Sequence, residues 1–242
     1  MIYFASDTHL GLRASNVDSR ENEMRFVQWL CSIEDCTELF LVGDIFDYWF
    51  EYRNVVPKGF VRLFGQLASM ADRGVKIHFF VGNHDLWHHE YFANELGISV
   101  HLKDEIFERE GKRLLVSHGD ALGGKLSMLG KIFRCNILKW PFEHFIHPDL
   151  SMRFGYAWSL HNRMSRSVSH NFRGENEPLV KAARNVIDNI PNLDYIICGH
   201  IHIPLDYSLN DNTRLIVLGQ WVIGDPVVAV MDNFGDISLR TV

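Results

Sequence analysis

Residues 39–49 read Leu-Phe-Leu-Val-Gly-Asp-Ile-Phe-Asp-Tyr-Trp. Leu39–Val42 is an unbroken apolar run, the pattern of a strand buried on both faces. Gly43 allows a sharp turn, and Asp44 and Asp47 follow just past the strand end. Ligands of open α/β sheets bind outside the carboxyl ends of the strands, so acids placed there are well sited for chemistry. One such Asp, taken alone, could equally cap the next turn.

The same construction recurs four times. Ile2–Ala5 runs into Ser6-Asp7-Thr8-His9, and Lys76–Val81 into Gly82-Asn83-His84-Asp85. Arg113–Ser117 runs into His118-Gly119-Asp120, and Tyr195–Cys198 into Gly199-His200-Ile201-His202. Asp7 and His9 are two apart, which in extended backbone turns both to one side. Helices are expected at 22–33, at 60–71 with Pro57 suited to a first helical position, at 90–96 and at 178–190. A hairpin turn is expected at Glu110–Lys112, and the tail, 206–242, reads as antiparallel sheet.

Composition narrows the class. With 47% hydrophobic and 22% charged residues in 242, the chain is an ordinary globular protein, able to bury a large core. No apolar run approaches the roughly 18 residues of a membrane span. The start, MIYFAS, carries no signal-peptide pattern, so a cytoplasmic location is expected. Cys31, Cys36, Cys135 and Cys198 lack the spacing of a zinc knuckle or a disulfide framework. A net charge of −6 makes no case for nucleic acid. Residues 121–176 break the β/α rhythm and are expected to form a helical cap inserted in a single domain spanning 1–242. Between 125 and 173 the only acids are Glu143 and Asp149, against Lys125, Lys131, Arg134, Lys139, Arg153, Arg163, Arg166 and Arg173.

Five strand ends bearing Asp, Asn and His imply one site with two divalent ions. Two ions about 3.5–4 Å apart can clamp a phosphoryl group and activate water. Imidazole with carboxylate or amide oxygen suits manganese, iron or zinc. Asp44 is the expected bridge between the ions. His118, His200 and His202 offer imidazoles, Asp7 and His9 serve the first ion, and Asn83 offers a neutral oxygen.

The set SDTHLG, GDIFDYW, GNHD, SHGD and GHIH resembles the calcineurin-like metallophosphoesterase superfamily over essentially the whole chain. The resemblance implies an α/β fold, a four-layer α/β/β/α sandwich of two mixed sheets. It implies one metal at Asp7, His9, Asp44 and His202 and a second at Asp44, Asn83, His118 and His200. His84 would be catalytic, contacting the phosphate and assisting the leaving group, with Asp47 orienting it. The cap, rich in large apolar and basic residues, resembles that of the UDP-2,3-diacylglucosamine pyrophosphatases, which release lipid X and UMP in lipid A synthesis, typically with manganese. Better-known members of that family carry Arg where this chain has His84. The segment Arg163–Asn171 is similar to the family's substrate-contacting cap exit. Lys125, Arg163, Arg166, Ser167 and His170 are therefore the expected substrate contacts, and the cytoplasmic face of the inner membrane the expected surface, reached through the cap. Two divalent ions are implied, manganese first, with iron, zinc or magnesium as alternatives. The alternative substrate is another nucleotide or lipid-linked phosphoester.

Overall fold

A computed structural model describes residues 1–13, 18–124, 136–165 and 172–242, with the main chain alone for 136–139 and 162–165. One sheet has six strands in the order β11-β10-β1-β2-β3-β4. They are β1 (Ile2–Ala5), β2 (Glu38–Val42), β3 (Lys76–Phe80), β4 (Ser99–His101), β10 (Val227–Met231) and β11 (Ile237–Thr241). The second sheet, β5-β6-β7-β9-β8, holds β5 (Glu105–Arg109), β6 (Lys112–Val116), β7 (Tyr195–Cys198), β8 (Leu205–Ser208) and β9 (Arg214–Val217). β1 to β4 are parallel, as are β6, β7 and β9.

Alternation along the strands builds the layers. Ile2, Phe4, Phe40, Val42 and Phe80 meet Leu114, Val116, Ile197 and Ile216 between the sheets. Their neighbours Tyr3, Ala5, Leu39, Leu41 and Phe79 point the other way. There they meet α1 (Ser19–Ser32), α2 (Val61–Asp72) and α3 (Tyr91–Leu96). The outer face of the second sheet is covered by Leu179, Val180, Ala183 and Val186 of a helix at Pro178–Asn189. This is the expected α/β/β/α sandwich.

Local chemistry explains two of the helix ends. The Asp18 side chain accepts the Arg20 and Glu21 N–H groups at the start of α1, and Gly97 ends α3 in the left-handed region. Pro57 is not a first helical residue. Phe60 has φ 56°, which interrupts the chain, and α2 begins one residue later. The tail is also not a single antiparallel sheet: β9 lies parallel to β7, while β10 and β11 join the other sheet.

Within the insertion, α4 (Asn136–Phe145) and α5 (Pro148–Ser165) are described, and the Pro178–Asn189 helix becomes α6. α5 docks on residues 48–52. Tyr48, Phe50 and Tyr52 pack with Trp87, Phe142, Met152 and Tyr156. The Tyr48 hydroxyl lies 2.9 Å from Ser151 Oγ. Gly155 lies flat on the Tyr48 ring, where a Cβ would come within 2.3 Å of ring carbon. Trp49 turns the opposite way, into the main core, and is fully buried. No described helix is long and apolar enough to cross a membrane.

Candidate metal centre

β1, β2 and β3 of one sheet and β6 and β7 of the other end on the same side, and their following loops are laced together. Asp7 N–H donates to Gly43 O (3.1 Å), His9 N–H to Asp44 O (2.9 Å) and Asp47 N–H to Leu10 O (2.9 Å). Asp7, His9, Asp44, His200 and His202 all have positive φ, between 44° and 73°. Non-glycine residues held there cost about 1–3 kcal/mol each and persist where the surroundings over-determine them. Asp7 and His9 therefore converge through a left-handed turn, not through the strand alternation expected of an extended segment.

The donor atoms face inward. His202 Nε2 is 3.2 Å from Asp7 Oδ1, and His9 Nε2 is 3.2 Å from His202 Nε2 and 3.9 Å from Asp44 Oδ2. His118 Nε2 is 3.3 Å from Asp44 Oδ2 on the other side. Asp7, His9 and His202 thus form one group able to hold a metal ion, and Asp44, His118 and His200 another. A third, His9, Asp44 and His84, lies between them. Asp44 belongs to two groups and sits where a bridging carboxylate would.

Supporting contacts select which atoms face the centre. Asp7 Oδ2 accepts Ser6 Oγ (2.6 Å) and the His200 N–H (3.0 Å), leaving Oδ1 inward. His118 Nδ1 donates to Val42 O (2.9 Å), which leaves the Nε2 lone pair inward. Gly82 is required by close approach, because a Cβ there would lie 2.1 Å from Asp44 Oδ1.

Burial disfavours charge on Asp44, yet His118, His84 and His9 hold its carboxyl well below the usual range. Burial likewise opposes charge on His118, and Asp44 overrides it, raising that imidazole well above its ordinary value. His200 goes the other way, pushed down to about 4 by burial and by His118. Like groups with opposed shifts in one place are the pattern of a candidate functional site.

The donor set fits divalent metal. Asp7 Oδ1, Asn83 Oδ1 and His118 Nε2 are buried without a well-directed hydrogen bond. Imidazole, carboxylate and amide oxygen are the ligands that intermediate divalent ions take.

His84 stands beside this centre. Its N–H donates to Asp44 Oδ1 (2.9 Å), and its Nδ1 donates to the main-chain oxygen of Asp47 (2.9 Å). The Asp47 carboxylate stands 4.0 Å from that nitrogen, at the edge of ion-pair distance, and the main-chain contact holds the ring more closely. Asp47 Oδ1 instead accepts Ser159 Oγ of α5 (2.7 Å) and lies 3.8 Å from His9 Nδ1.

Asp85 has a role that its motif did not disclose. Its carboxylate is fully buried and accepts the N–H groups of Gly82 (2.7 Å), Ile45 (2.8 Å), Asp44 (3.2 Å) and Phe46 (3.2 Å), stitching the loops after β2 and β3 together. Burial, reinforced by Asp44, lifts its pKa to about 7. Ser159 was likewise unforeseen; it pairs with Asp47 across 112 residues, and no local pattern signals that.

The substrate contacts expected at Lys125, Arg166, Ser167 and His170 lie outside the described residues, and Arg163 is described by its main chain alone. A narrow cleft beside His84 is walled by Asp47, Tyr48, Asn83, Leu86, Trp87, Gly155 and Trp158. A groove of about 530 Å³ at the start of β3, lined by residues of α2 and α3, contains none of the candidate site residues.

The sequence model of the calcineurin-like phosphoesterases matches residues 1–204. A Porphyromonas gingivalis protein named UDP-2,3-diacylglucosamine hydrolase is 35% identical over 260 aligned residues, covering 98% of each chain. A protein of the same name from Shewanella piezotolerans is 25% identical, covering 90% of this chain and 89% of its own. The crystal structure of a dimetal phosphatase from Danio rerio superposes with a TM-score of 0.53 at 12% identity, over 99% of this chain and 95% of that one.

Proposed function

The chain belongs to the calcineurin-like phosphoesterase family, and from that premise we propose that it hydrolyses the diphosphate of UDP-2,3-diacylglucosamine. The products are lipid X and UMP, a step of lipid A synthesis. The observation that carries the reading is the convergence of five strand ends on Asp44 with inward-facing donor atoms, in a chain 35% identical along its length to a hydrolase of that name.

In this reading Asp7, His9, Asp44 and His202 hold one divalent ion, and Asp44, Asn83, His118 and His200 the other. Manganese is the proposed metal. Two ions so held supply charge to the phosphoryl oxygens and acidify water. The residues do the rest. His118 and Asp7 keep fixed atoms turned inward through their contacts with Val42 O and Ser6. His84, with Nδ1 committed to Asp47 O, has Nε2 left for the phosphate or the leaving oxygen. The left-handed turns at Asp7, His9, Asp44, His200 and His202 set the donors in place before substrate arrives.

The insertion, residues 121–176, is the proposed acyl-binding cap. Its support is the exposed apolar set Trp140, Phe145, Leu150 and Phe154 on α4 and α5, together with the basic residues of the segment. Such a surface suits a protein working at the cytoplasmic face of the inner membrane. Lys125, Arg163, Arg166, Ser167 and His170 are proposed to contact the substrate.

Purified protein, Mn²⁺ and UDP-2,3-diacylglucosamine in mixed micelles are expected to release UMP faster than unacylated UDP-sugars or small diesters do. No UMP with manganese, iron, zinc or magnesium would eliminate this substrate. Faster turnover of the small diesters would favour another nucleotide or lipid-linked phosphoester.

A further inference from the structure

The side chain of Ser159 comes from the insertion yet reaches the metal centre. It is 1% exposed, and its Oγ donates to Asp47 Oδ1 at 2.7 Å. That oxygen also faces His9 Nδ1, at 3.8 Å. The opposite nitrogen of the same ring, Nε2, points to Asp7 Oδ1 (3.8 Å), Asp44 Oδ2 (3.9 Å) and His202 Nε2 (3.2 Å). Ser159, Asp47, His9 and the centre therefore stand in one line.

The helix that brings Ser159 is firmly placed. Ser151, Gly155 and Ser159 recur every four residues and so share one face of α5. That face meets Tyr48 through the Ser151 hydroxyl and through the close approach at Gly155. Asp47 and Tyr48 are adjacent, so one stretch of chain meets the centre and the insertion together.

We infer that Ser159 is a positioning residue of the metal centre, whose hydroxyl fixes the Asp47 carboxylate against His9 Nδ1 and so keeps His9 Nε2 turned toward Asp7, Asp44 and His202. A carboxylate hydrogen-bonded to the far nitrogen of a ligating histidine sets its tautomer and ring angle and is worth about 10–100-fold in metal affinity or activity. At 3.8 Å Asp47 meets His9 at ion-pair distance, longer than a hydrogen bond, and so is worth the lower end of that range. Ser159 acts one contact further out, so its loss costs less. The insertion thereby completes the metal centre besides covering it. This rests on the reading of His9 as a metal ligand.

The test is Mn²⁺ titration by calorimetry, with thermal melts and steady-state kinetics, on the unaltered chain, S159A, S151A, D47A and D47A/S159A. S159C, of nearly the same volume and with a weaker donor, is run beside S159A in case alanine leaves a damaging gap. S159A and S159C are expected to weaken Mn²⁺ binding roughly three- to ten-fold and to lower kcat with KM unchanged. S151A removes a comparable insertion-to-core hydrogen bond and is expected to lower the melting temperature while leaving Mn²⁺ affinity unchanged. In the D47A background S159A is expected to add nothing, because the two act in series. An unaltered chain that binds no Mn²⁺ overturns the reading of the site and this inference with it. If the unaltered chain binds two ions and the Ser159 variants match it, the inference alone fails. It also fails if S151A weakens binding equally, or if the Ser159 and Asp47 losses simply add.

Discussion

His84 is held first by the backbone of Asp47: the imidazole Nδ1 lies 2.9 Å from the main-chain oxygen, and the carboxylate stands further off, at 4.0 Å. Substituting the Asp47 side chain therefore leaves the His84 ring held. His84→Ala is expected to lower kcat by about 10²–10⁴-fold, the usual worth of a positioned proton donor, with Mn²⁺ stoichiometry unchanged. Asp47→Asn is expected to lower activity far less, and mainly through weaker metal binding. Kinetics paired with metal analysis of the dialysed proteins separates the two. A loss of bound manganese in the His84 variant would contradict the assignment.

Asp44→Asn is expected to behave differently from His84→Ala. Asp44 lies within 4 Å of both His9 and His118 nitrogens, in two of the three donor groups. In the proposed site its charge would offset the mutual repulsion of two cations. The variant should retain fewer than two ions per chain and lose nearly all activity, and excess Mn²⁺ should restore little. Full two-ion occupancy by elemental analysis would remove Asp44 from the bridging position.

Asp85→Ala strips the acceptor from four main-chain N–H groups. Each buried donor left without a partner costs about 1–3 kcal/mol. Water entering the vacated space recovers part of that, so a net loss of about 3–5 kcal/mol in urea unfolding is expected. A loss below about 1 kcal/mol would mean that the loops after β2 and β3 are held by other contacts.

Gly155→Ala sets two effects against each other. Alanine favours the helix by about 1 kcal/mol, but the new methyl would overlap the Tyr48 ring, whose carbons lie 2.3–2.4 Å from the Cβ position. Overpacking of this kind costs about 1–3 kcal/mol and more when the neighbour is rigid. A lower melting temperature is expected, with a larger rise in KM for the acylated substrate than for a small diester. A higher melting temperature would mean that α5 slides freely over Tyr48.

Far from the centre, both carboxylate oxygens of Glu38, at the start of β2, accept from one edge of the Arg109 guanidinium (Nε 2.6 Å, Nη2 2.7 Å), and one of them lies 2.8 Å from His78 Nε2. Burial raises its carboxyl, but Arg109 and His78 more than offset this and bring it from 4.5 to about 2. Because the folded value is the lower one, the stabilisation is complete above about pH 4.5 and is lost as pH falls through about 2. It is on the order of 3 kcal/mol. Melting temperatures of the unaltered chain and Glu38→Gln, measured from pH 6 to pH 2, should converge toward the acid end. A constant gap would show that the ion pair is not what Glu38 contributes.

Much of the centre was legible in the sequence because its residues lie beside the ends of apolar runs, where local pattern and site coincide. The sandwich followed from those runs and from the helices between them. Asp85 was harder, since an Asp in a turn and an Asp collecting four amide protons share one local sequence. Ser159 could not be read at all, because its meaning lies in an element 112 residues from its partner. The main-chain contact from Asp47 to His84 was hidden for a related reason. Main-chain carbonyls carry no residue identity, so no motif advertises the contact. Asp7 and His9 do converge, but through left-handed turns set by the loop after β2 and not through strand alternation.

The hydrogen bond from His200 N–H to Asp7 Oδ2 joins positions 193 residues apart, and this orders events during synthesis. At about 5–20 residues per second, Asp7 and His9 wait roughly 10–40 s before His200 and His202 are even made. β1 also waits for β10, with which Tyr3 pairs at Val230. Such long closures slow folding, and no early fragment of the nascent chain offers an ion more than two or three loose ligands. In the proposed site the last ligands, His200 and His202, follow β7, so full coordination of either ion waits until that strand has been made.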